Sequence, residues 1–271
     1  MTYPSSTTTP LLVTGGTGTL GRHVVPLLRA SGHQVRVLSR RPRPAADGVA
    51  YVTGDLLTGA GVDAAVDGVH TVLHLAGGPK GDDEATRTLV RAASGADVRH
   101  LVYISVVGAD SVPLAWLRTK RESERAIADS GIPWTVLRAA QFHELTLTMI
   151  EKTAKLPVLP VPGGLRLQPV DSREVAARLA ELTLAAPSGR VPDMTGPEVL
   201  DLADLTRSYR AVHGGRRRPH LPVRIPGKAG RAYRAGANLT LEGALTGRLT
   251  WEEFLTERAG RGTRSTAARP S

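Results

Sequence analysis

Apolar and polar positions in the first half of the chain follow a repeating plan. Short apolar runs of strand length alternate with stretches whose apolar residues recur at helical spacing. The runs are Leu11-Leu12-Val13, Gln34–Leu38, Val49–Val52, Thr71–Leu75, Leu101–Val107 and Trp134–Arg138. Between them lie amphipathic stretches such as Leu20–Ala30 and Asp83–Ala93, in which Leu89, Val90 and Ala93 share a face. This alternation predicts parallel pairing through right-handed crossovers, and so an α/β fold with a Rossmann-like, doubly wound parallel sheet. Pro26 falls inside the first helix and removes one backbone donor, which predicts a kink there, not a helix end.

The rhythm changes after Arg138. Leu156–Gly164 is rich in proline and glycine and reads as an extended, irregular connection. Asp171 reads as an N-cap, boxed by Glu174, ahead of a helix through Leu184, and Thr250 with Glu253 marks a similar start before Phe254. Residues 1–10 are then a flexible N-terminus, 11–150 a core of dinucleotide-binding size, and 151–257 a small C-terminal substrate-binding lobe with interleaved core elements. That lobe is expected over the carboxyl ends of the strands, where open α/β sheets bind ligands. Residues 258–271, arginines spaced by Gly, Ser, Thr, Ala and Pro, are expected to be a disordered basic tail. No internal repeat is visible.

Candidate chemistry begins where the first strand meets the first helix, at Thr14-Gly15-Gly16-Thr17-Gly18-Thr19-Leu20-Gly21. A strand, a glycine turn and a helix start gather backbone N–H groups around one small volume, where a pyrophosphate can accept them. Gly15 can make the tight turn, Gly16 or Gly18 can admit the ligand, and Gly21 can let the helix pack closely on the strand. Gly15, Thr17, Gly18, Thr19 and Leu20 are therefore candidate dinucleotide contacts; the alternative is a plain glycine turn.

Strand two ends in Ser39-Arg40-Arg41, and no carboxylate follows through Ala46. A site selective for NAD would place Asp or Glu here for the ribose hydroxyls. Guanidinium matches a phosphate in charge and in paired donors, so NADP(H) is expected in preference to NAD(H). The bland alternative is that Arg40 and Arg41 are simply exposed.

Composition narrows the picture further. The absence of cysteine excludes disulfides, thiolate catalysis and zinc–thiolate sites. The eight histidines show no paired ligand spacing, so no metal is expected. Met1–Pro10 lacks the layout of a signal peptide, and no uncharged apolar run approaches the ~20 residues of a bilayer span. A cytoplasmic protein with no membrane partner is expected. The net charge of +10 raises a nucleic-acid hypothesis. Much of the excess, however, sits in Arg36–Arg43, in Arg216-Arg217-Arg218 and in the tail, without interleaved aromatics or a recognition motif, so this class ranks last. Ser105 has no Gly-x-Ser-x-Gly elbow around it, which rejects a hydrolase.

These motifs resemble those of an atypical short-chain dehydrogenase/reductase of the NmrA-like, NAD(P)H-binding type. The resemblance rests on Thr14–Gly21, Arg40, Gly54-Asp55-Leu56, His74-Leu75-Ala76-Gly77, Lys120, and the stretch from Thr135 to Phe142. It covers about Leu11 to Val175, and more loosely Trp251–Phe254. It implies that Asp55 and Leu56 border the adenine, that Ala76 and Gly77 pass the pyrophosphate and ribose, and that Ser105 and Val106 lie near the nicotinamide. Asp55 has an alternative role as a turn or cap residue.

Typical members of the superfamily carry a tyrosine four residues before a lysine on one helix, where the ammonium assists the phenol as proton donor. Here Lys120 is preceded at that spacing by Trp116, and none of the five tyrosines has a lysine four residues on. An indole N–H is no general acid. Lys120 is thus a candidate for both catalysis and cofactor-ribose binding, as in the isoflavone-reductase-like branch. His143, just past strand six, is a second catalytic candidate or a structural donor. Trp116, Gln141, Phe142 and Met149, with Leu114 and the loop near Leu156–Leu165, are candidate substrate walls, or simply core. The expected partner is a small apolar or aromatic carbonyl compound, enone or quinone, and the expected assembly a monomer or homodimer. Loss of the tyrosine leaves a non-catalytic NAD(P)-binding redox sensor as the second reading.

Overall fold

The computed structural model describes residues 9–78, 80–153, 155–214 and 219–267, with 261–267 as backbone. The Arg216–Arg218 cluster lies outside the described residues, as do residues 1–8 and 268–271. In chain order the first elements are β1 (Leu11–Thr14), α1 (Gly21–Ala30), β2 (Val35–Ser39), β3 (Val49–Thr53), α2 (Val62–Val66), β4 (Thr71–His74), α3 (Asp82–Ser94), β5 (His100–Val106), α4 (Ala115–Ala128) and β6 (Trp134–Ala139). They are followed by α5 (His143–Thr153), β7 (Leu159–Pro162), β8 (Arg166–Leu167), α6 (Ser172–Leu184), β9 (Gly189–Arg190), β10 (Met194–Thr195) and β11 (Leu200–Asp201). The last are α7 (Leu202–His213), β12 (His220–Val223), α8 (Gly227–Arg234), β13 (Leu245–Thr246) and α9 (Trp251–Ala267).

The chain forms two compact units. One comprises the chain up to Ser105, Ala115–Leu137 and Val175–Val191; the other comprises Val106–Leu114, Arg138–Glu174 and the chain from Pro192 onward. The chain thus passes between them several times and not once near residue 150.

In the first unit the strands lie in the order β3-β2-β1-β4-β5-β6, with β9 beside β6. The pairs β3–β2, β2–β1, β1–β4, β4–β5 and β6–β9 are parallel. This is the strand order of the doubly wound dinucleotide fold. Strand parity explains the burial: Leu12, Leu38, Leu101 and Tyr103 face a core with Val62 and Val66 of α2, Leu89 of α3 and Ile127 of α4. Residues of opposite parity, Leu11, Val13, Val35 and Val37, are buried on the other face. At about 1.5–3 kcal/mol per buried aliphatic side chain, these two faces supply most of the drive for this unit to fold. Pro26 is exposed and α1 runs through it to Ala30. Part of the basic cluster is structural, since Arg36 donates to the Ala65 and Asp67 carbonyls at the end of α2, at 2.8 and 2.7 Å.

The second unit departs from expectation in three places. Leu156–Gly164 is not wholly irregular, because β7 lies within it and pairs in parallel with β12. Pro160 and Pro162 are tolerated because the donors to β12 alternate with them: Leu159 donates to the Pro219 carbonyl and Gly163 to that of Val223. At α6 the expected capping box does not close. Asp171 caps the Arg173 amide at 2.8 Å, but Glu174 turns away and accepts from the Arg248 amide at 2.8 Å. The Thr250–Glu253 box does close, each side chain capping the other's amide at 2.8 and 3.2 Å. Helix α9, started by that box and by two acidic residues in its first turn, continues through Ala267, into the stretch expected to be disordered.

Candidate functional site

Parallel pairing sets one edge of the first unit's sheet. Thr14 is in register with Leu38 and with His74, Ser39 with Thr53, and His74 with Tyr103. The segments leaving these strands therefore emerge at one edge: the glycine turn after β1, Arg40-Arg41 after β2, Asp55-Leu56 after β3, and Ala76-Gly77 after β4.

The glycines divide their work. Gly15 has φ +69°, and a Cβ on it would lie 2.6 Å from the Ala76 nitrogen, so the turn presses on the strap after β4. Gly16 is held by packing, since a Cβ there would meet Val37 Cγ1 at 2.8 Å. Gly21 packs on the turn and not on the strand, with a would-be Cβ 2.3 Å from the Gly16 backbone. Gly18 is different: it is exposed, and a Cβ there would meet only the Gly15 carbonyl, at 3.2 Å. Thr17 is exposed beside it, Thr19 is half-buried, and Leu20 is buried. Helix α1 starts with no side-chain cap and no first-turn carboxylate of its own, which fits an anionic ligand at the turn.

The other expected contacts occupy this edge with varied freedom. Ser39 donates its hydroxyl to the Arg41 carbonyl at 2.8 Å and so shapes the turn, while the Arg40 and Arg41 side chains are exposed. Asp55 Oδ1 accepts from the Leu57 amide at 2.9 Å, the turn role considered for it. Leu56 is buried in the core with Leu38 and Leu89. Ala76 and Gly77 form the strap after β4. Ser105 is buried near the end of β5, and its Oγ has no hydrogen-bond partner, a buried polar atom left open.

Lys120 reaches this edge from α4. Its ammonium lies 2.9 Å from Asp82 Oδ2 and 3.3 Å from the Tyr103 hydroxyl. A Cβ on Gly77 would sit 3.1 Å from the Lys120 nitrogen, so the ammonium lies directly under the strap. Burial alone would favour the neutral amine, but the Tyr103 oxygen and the Asp82 carboxylate outweigh it and hold Lys120 above the ordinary lysine range. Burial pushes the Tyr103 phenol up, so it stays protonated.

Asp82, Tyr103 and His74 were not among the expected site residues. Asp82 carried one usable signal, its position in an acidic helix start after the Gly77-Gly78 strap. Tyr103 and His74 sit on buried strands and stack at 5.3 Å between ring centres. Their pattern is that of ordinary core.

The remaining candidates fare differently. Trp116 is exposed near the start of α4. His143, in the second unit, is fully buried against Trp251 and Phe254, with its Nδ1 3.8 Å from Asp171 Oδ2 and outside hydrogen-bond range. This burial supports the structural alternative considered for His143. Met149 is half-buried and packs against the core of Leu147, Ile150 and Trp251. Phe142 bridges to Val170, and Gln141 keeps a buried Oε1 without a partner.

Comparison with known proteins shows the family and the fold. The family model described as NAD(P)H-binding matches residues 15–182. Over 211 residues the chain is 34% identical to a (4-alkanoyl-5-oxo-2,5-dihydrofuran-3-yl)methyl phosphate reductase of Streptomyces griseus, covering 75% of this chain and 74% of that one. An NAD(P)H azoreductase of Xenophilus azovorans is 29% identical over 212 residues, with 75% and 74% covered. The fold is that of an NADPH-dependent quinone oxidoreductase of Escherichia coli solved with NADPH: TM-score 0.79, 22% identity, 92% of this chain and 99% of that one.

Proposed function

The chain belongs to the NAD(P)H-binding family, and on that premise we propose that it is an NADPH-dependent reductase of enones, quinones or related apolar carbonyl compounds, working without the usual tyrosine. The observation that carries the reading is the Lys120 ammonium under Gly77, at the same sheet edge as the open Gly18 turn and the exposed Arg40-Arg41 pair. The chemistry supplied by a bound nicotinamide is hydride donation to an electron-poor carbon.

This chain's residues do the rest. Turn amides at Thr17, Thr19 and Leu20 bind the pyrophosphate; the Gly18 amide is given to the Gly15 carbonyl at 2.9 Å, and Gly18 contributes by allowing close approach. Arg40 and Arg41 bind the 2′-phosphate. Ala76, Gly77 and Ser105 line the path toward the nicotinamide, and Asp55 borders the adenine with the oxygen its turn does not use. Lys120 orients the ribose and meets negative charge developing on the substrate oxygen. With Tyr103 sealed, the proton comes from water. Trp116, one turn before Lys120 on the same helix, contacts the substrate.

The named relatives support the substrate class. The compound in the Streptomyces griseus enzyme's name is a 5-oxo-2,5-dihydrofuran bearing an alkanoyl group, a ring alkene conjugated to carbonyl groups; the Escherichia coli enzyme is named for quinones. Both classes offer an electron-poor carbon or oxygen to a hydride.

The test follows loss of NADPH absorbance with a panel of enones, quinones and aldehydes, wild type beside Lys120→Ala. Turnover of an enone or quinone, much reduced in the variant, is expected. Tight NADPH binding with no turnover of any substrate would instead favour the non-catalytic sensor. That second reading draws its support from the sealed Tyr103 and from Trp116 standing where the tyrosine is usual.

A further inference from the structure

We propose that Asp82 is a positioning residue of the cofactor site, tying the Lys120 ammonium and the Ala76–Gly78 strap into one preorganised edge. The inference rests on the dinucleotide reading above for what this edge binds, but its geometry lies wholly within the first unit. Asp82 is the first residue of α3 and is buried. Its two carboxylate oxygens divide: Oδ2 holds Lys120 at 2.9 Å and Oδ1 accepts from the Gly78 amide at 2.5 Å. The strap therefore rests on an ion pair, with both Asp82 oxygens 3.4–3.6 Å from where a Gly77 Cβ would be.

The other end of the strap is tied by a second path that returns to the same residue. The Ala76 amide donates to Thr14 Oγ1 at 3.2 Å, and Thr14 Oγ1 lies 2.6 Å from His74 Nδ1. His74 Nε2 lies 3.1 Å from Thr86 Oγ1, which donates to the Asp82 carbonyl at 2.7 Å. Counting protons fixes the direction of each bond. Each threonine has one hydroxyl proton. Thr86 gives its own to the Asp82 carbonyl, the nearer of its two acceptors (Ser123 Oγ lies at 3.1 Å), and with that proton used it accepts from His74 Nε2–H. Neutral His74 then offers Nδ1 as acceptor to Thr14, whose lone pair receives Ala76. Burial first, and then the Lys120 charge, keep His74 neutral by lowering its pKa to about 3. Side chain and main chain of Asp82 thus anchor both ends of the strap.

The consequence for Lys120 is specific. Held between a carboxylate and a phenol under Gly77, it acts as a fixed cation and not as a proton donor. Without Asp82 the buried amine would lose its proton or leave the strap.

Three measurements test this. First, the Lys120 amine is titrated by NMR of protein carrying 13Cε-lysine, with no cofactor present. Wild type should titrate above ordinary lysines, and Asp82→Asn should bring it down. Second, NADPH dissociation constants are measured by fluorescence against pH. Asp82→Asn should weaken binding about ten- to hundredfold near neutrality, with a further fall as pH rises that wild type lacks, and Asp82→Glu should recover part of it. Third, Asp82→Asn combined with Lys120→Ala should bind NADPH no worse than Lys120→Ala alone, since asparagine keeps an oxygen for the Gly78 amide and what it loses is the hold on the lysine.

An ordinary Lys120 titration in wild type would overturn the proposal without any variant having to fold. So would unchanged NADPH affinity and pH dependence in Asp82→Asn, or additive losses in the double variant. If wild type bound no NADPH, the cofactor reading would fall, and the amine titration alone would decide whether Asp82 holds the ammonium.

Discussion

The Tyr103 hydroxyl lies 3.3 Å from the Lys120 ammonium, so a tyrosine does meet the lysine, but from strand β5 and not from the preceding turn of the lysine's own helix. The placement changes its chemistry. A phenol on the helix would face a ligand, whereas Tyr103 is fully buried and stacked on His74. Raised by burial, it neither ionises near neutrality nor reaches a substrate. Tyr103→Phe should therefore reduce the rate of NADPH oxidation by less than about threefold, while costing about 1 kcal/mol of stability for the lost hydrogen bond. A rate loss of about a hundredfold or more, with the fold intact by circular dichroism, would make Tyr103 a proton donor after all.

The glycine turn makes a paired prediction. A methyl at Gly21 would enter the Gly16 backbone at 2.3 Å, and nothing flexible can yield there. Gly21→Ala should destabilise the fold by several kcal/mol, about 3 or more, or prevent soluble expression. At Gly18 the single close contact is 3.2 Å, so the fold should tolerate alanine. Gly18→Ala should melt within a few degrees of wild type yet bind NADPH at least about tenfold more weakly, if the pyrophosphate needs that approach. Thermal melts beside fluorescence titrations separate the two; equal behaviour of the variants would remove Gly18 from the site.

What could be read from the sequence follows the range of the interactions. Strands β1 to β6 were legible because both sheet faces are buried, and a short apolar run repeats that fact locally. Lys120 was legible because its partner position, Trp116, is one turn away on the same helix. Asp82 and Tyr103 reach Lys120 across a crossover, and no local spacing encodes such a meeting. Glu174 shows the same limit: its spacing from Asp171 suggests a capping box, but tertiary structure offers it the Arg248 amide instead. The two-residue strands β8, β9, β10, β11 and β13 are too short to show any period. His143 drew attention by its place after β6, and only the rings of Trp251 and Phe254, far along the chain, reveal it as core.

The proposed preference for NADPH rests on Arg40 and Arg41, exposed at the end of β2 with no carboxylate through Ala46. Arg36 and Arg43 are occupied elsewhere, the first by the end of α2 and the second 6.0 Å above the Tyr51 ring. Arg40→Ala should raise the NADPH dissociation constant by about ten- to hundredfold and leave that of NADH within about threefold. Isothermal titration with both coenzymes reads the ratio directly. Equal changes would count against the assignment of Arg40 to the 2′-phosphate.

His74 gives the chain an acid sensitivity with a defined sign. Its folded-state pKa is near 3 against an ordinary value of 6.5, because burial, and next the Lys120 charge, exclude the imidazolium. Between those two values the unfolded chain binds a proton that the folded chain refuses. Stability therefore falls as pH drops through that window, by about 1.4 kcal/mol per pH unit, and is unaffected by this group above it. At about pH 5 the loss from His74 amounts to roughly 2 kcal/mol relative to neutrality, or several degrees in Tm. A glutamine cannot take up a proton, so His74→Gln should lower Tm at neutral pH, where it disturbs the Thr14 and Thr86 bonds, yet lose less stability than wild type on acidification. Melting curves of both proteins between about pH 5 and 7.5 test it. Parallel pH profiles would show that the folded imidazole takes up its proton as readily as the unfolded one, and the Thr14 bond would then have to run from Nδ1–H to the hydroxyl, with the Thr86 bond unchanged.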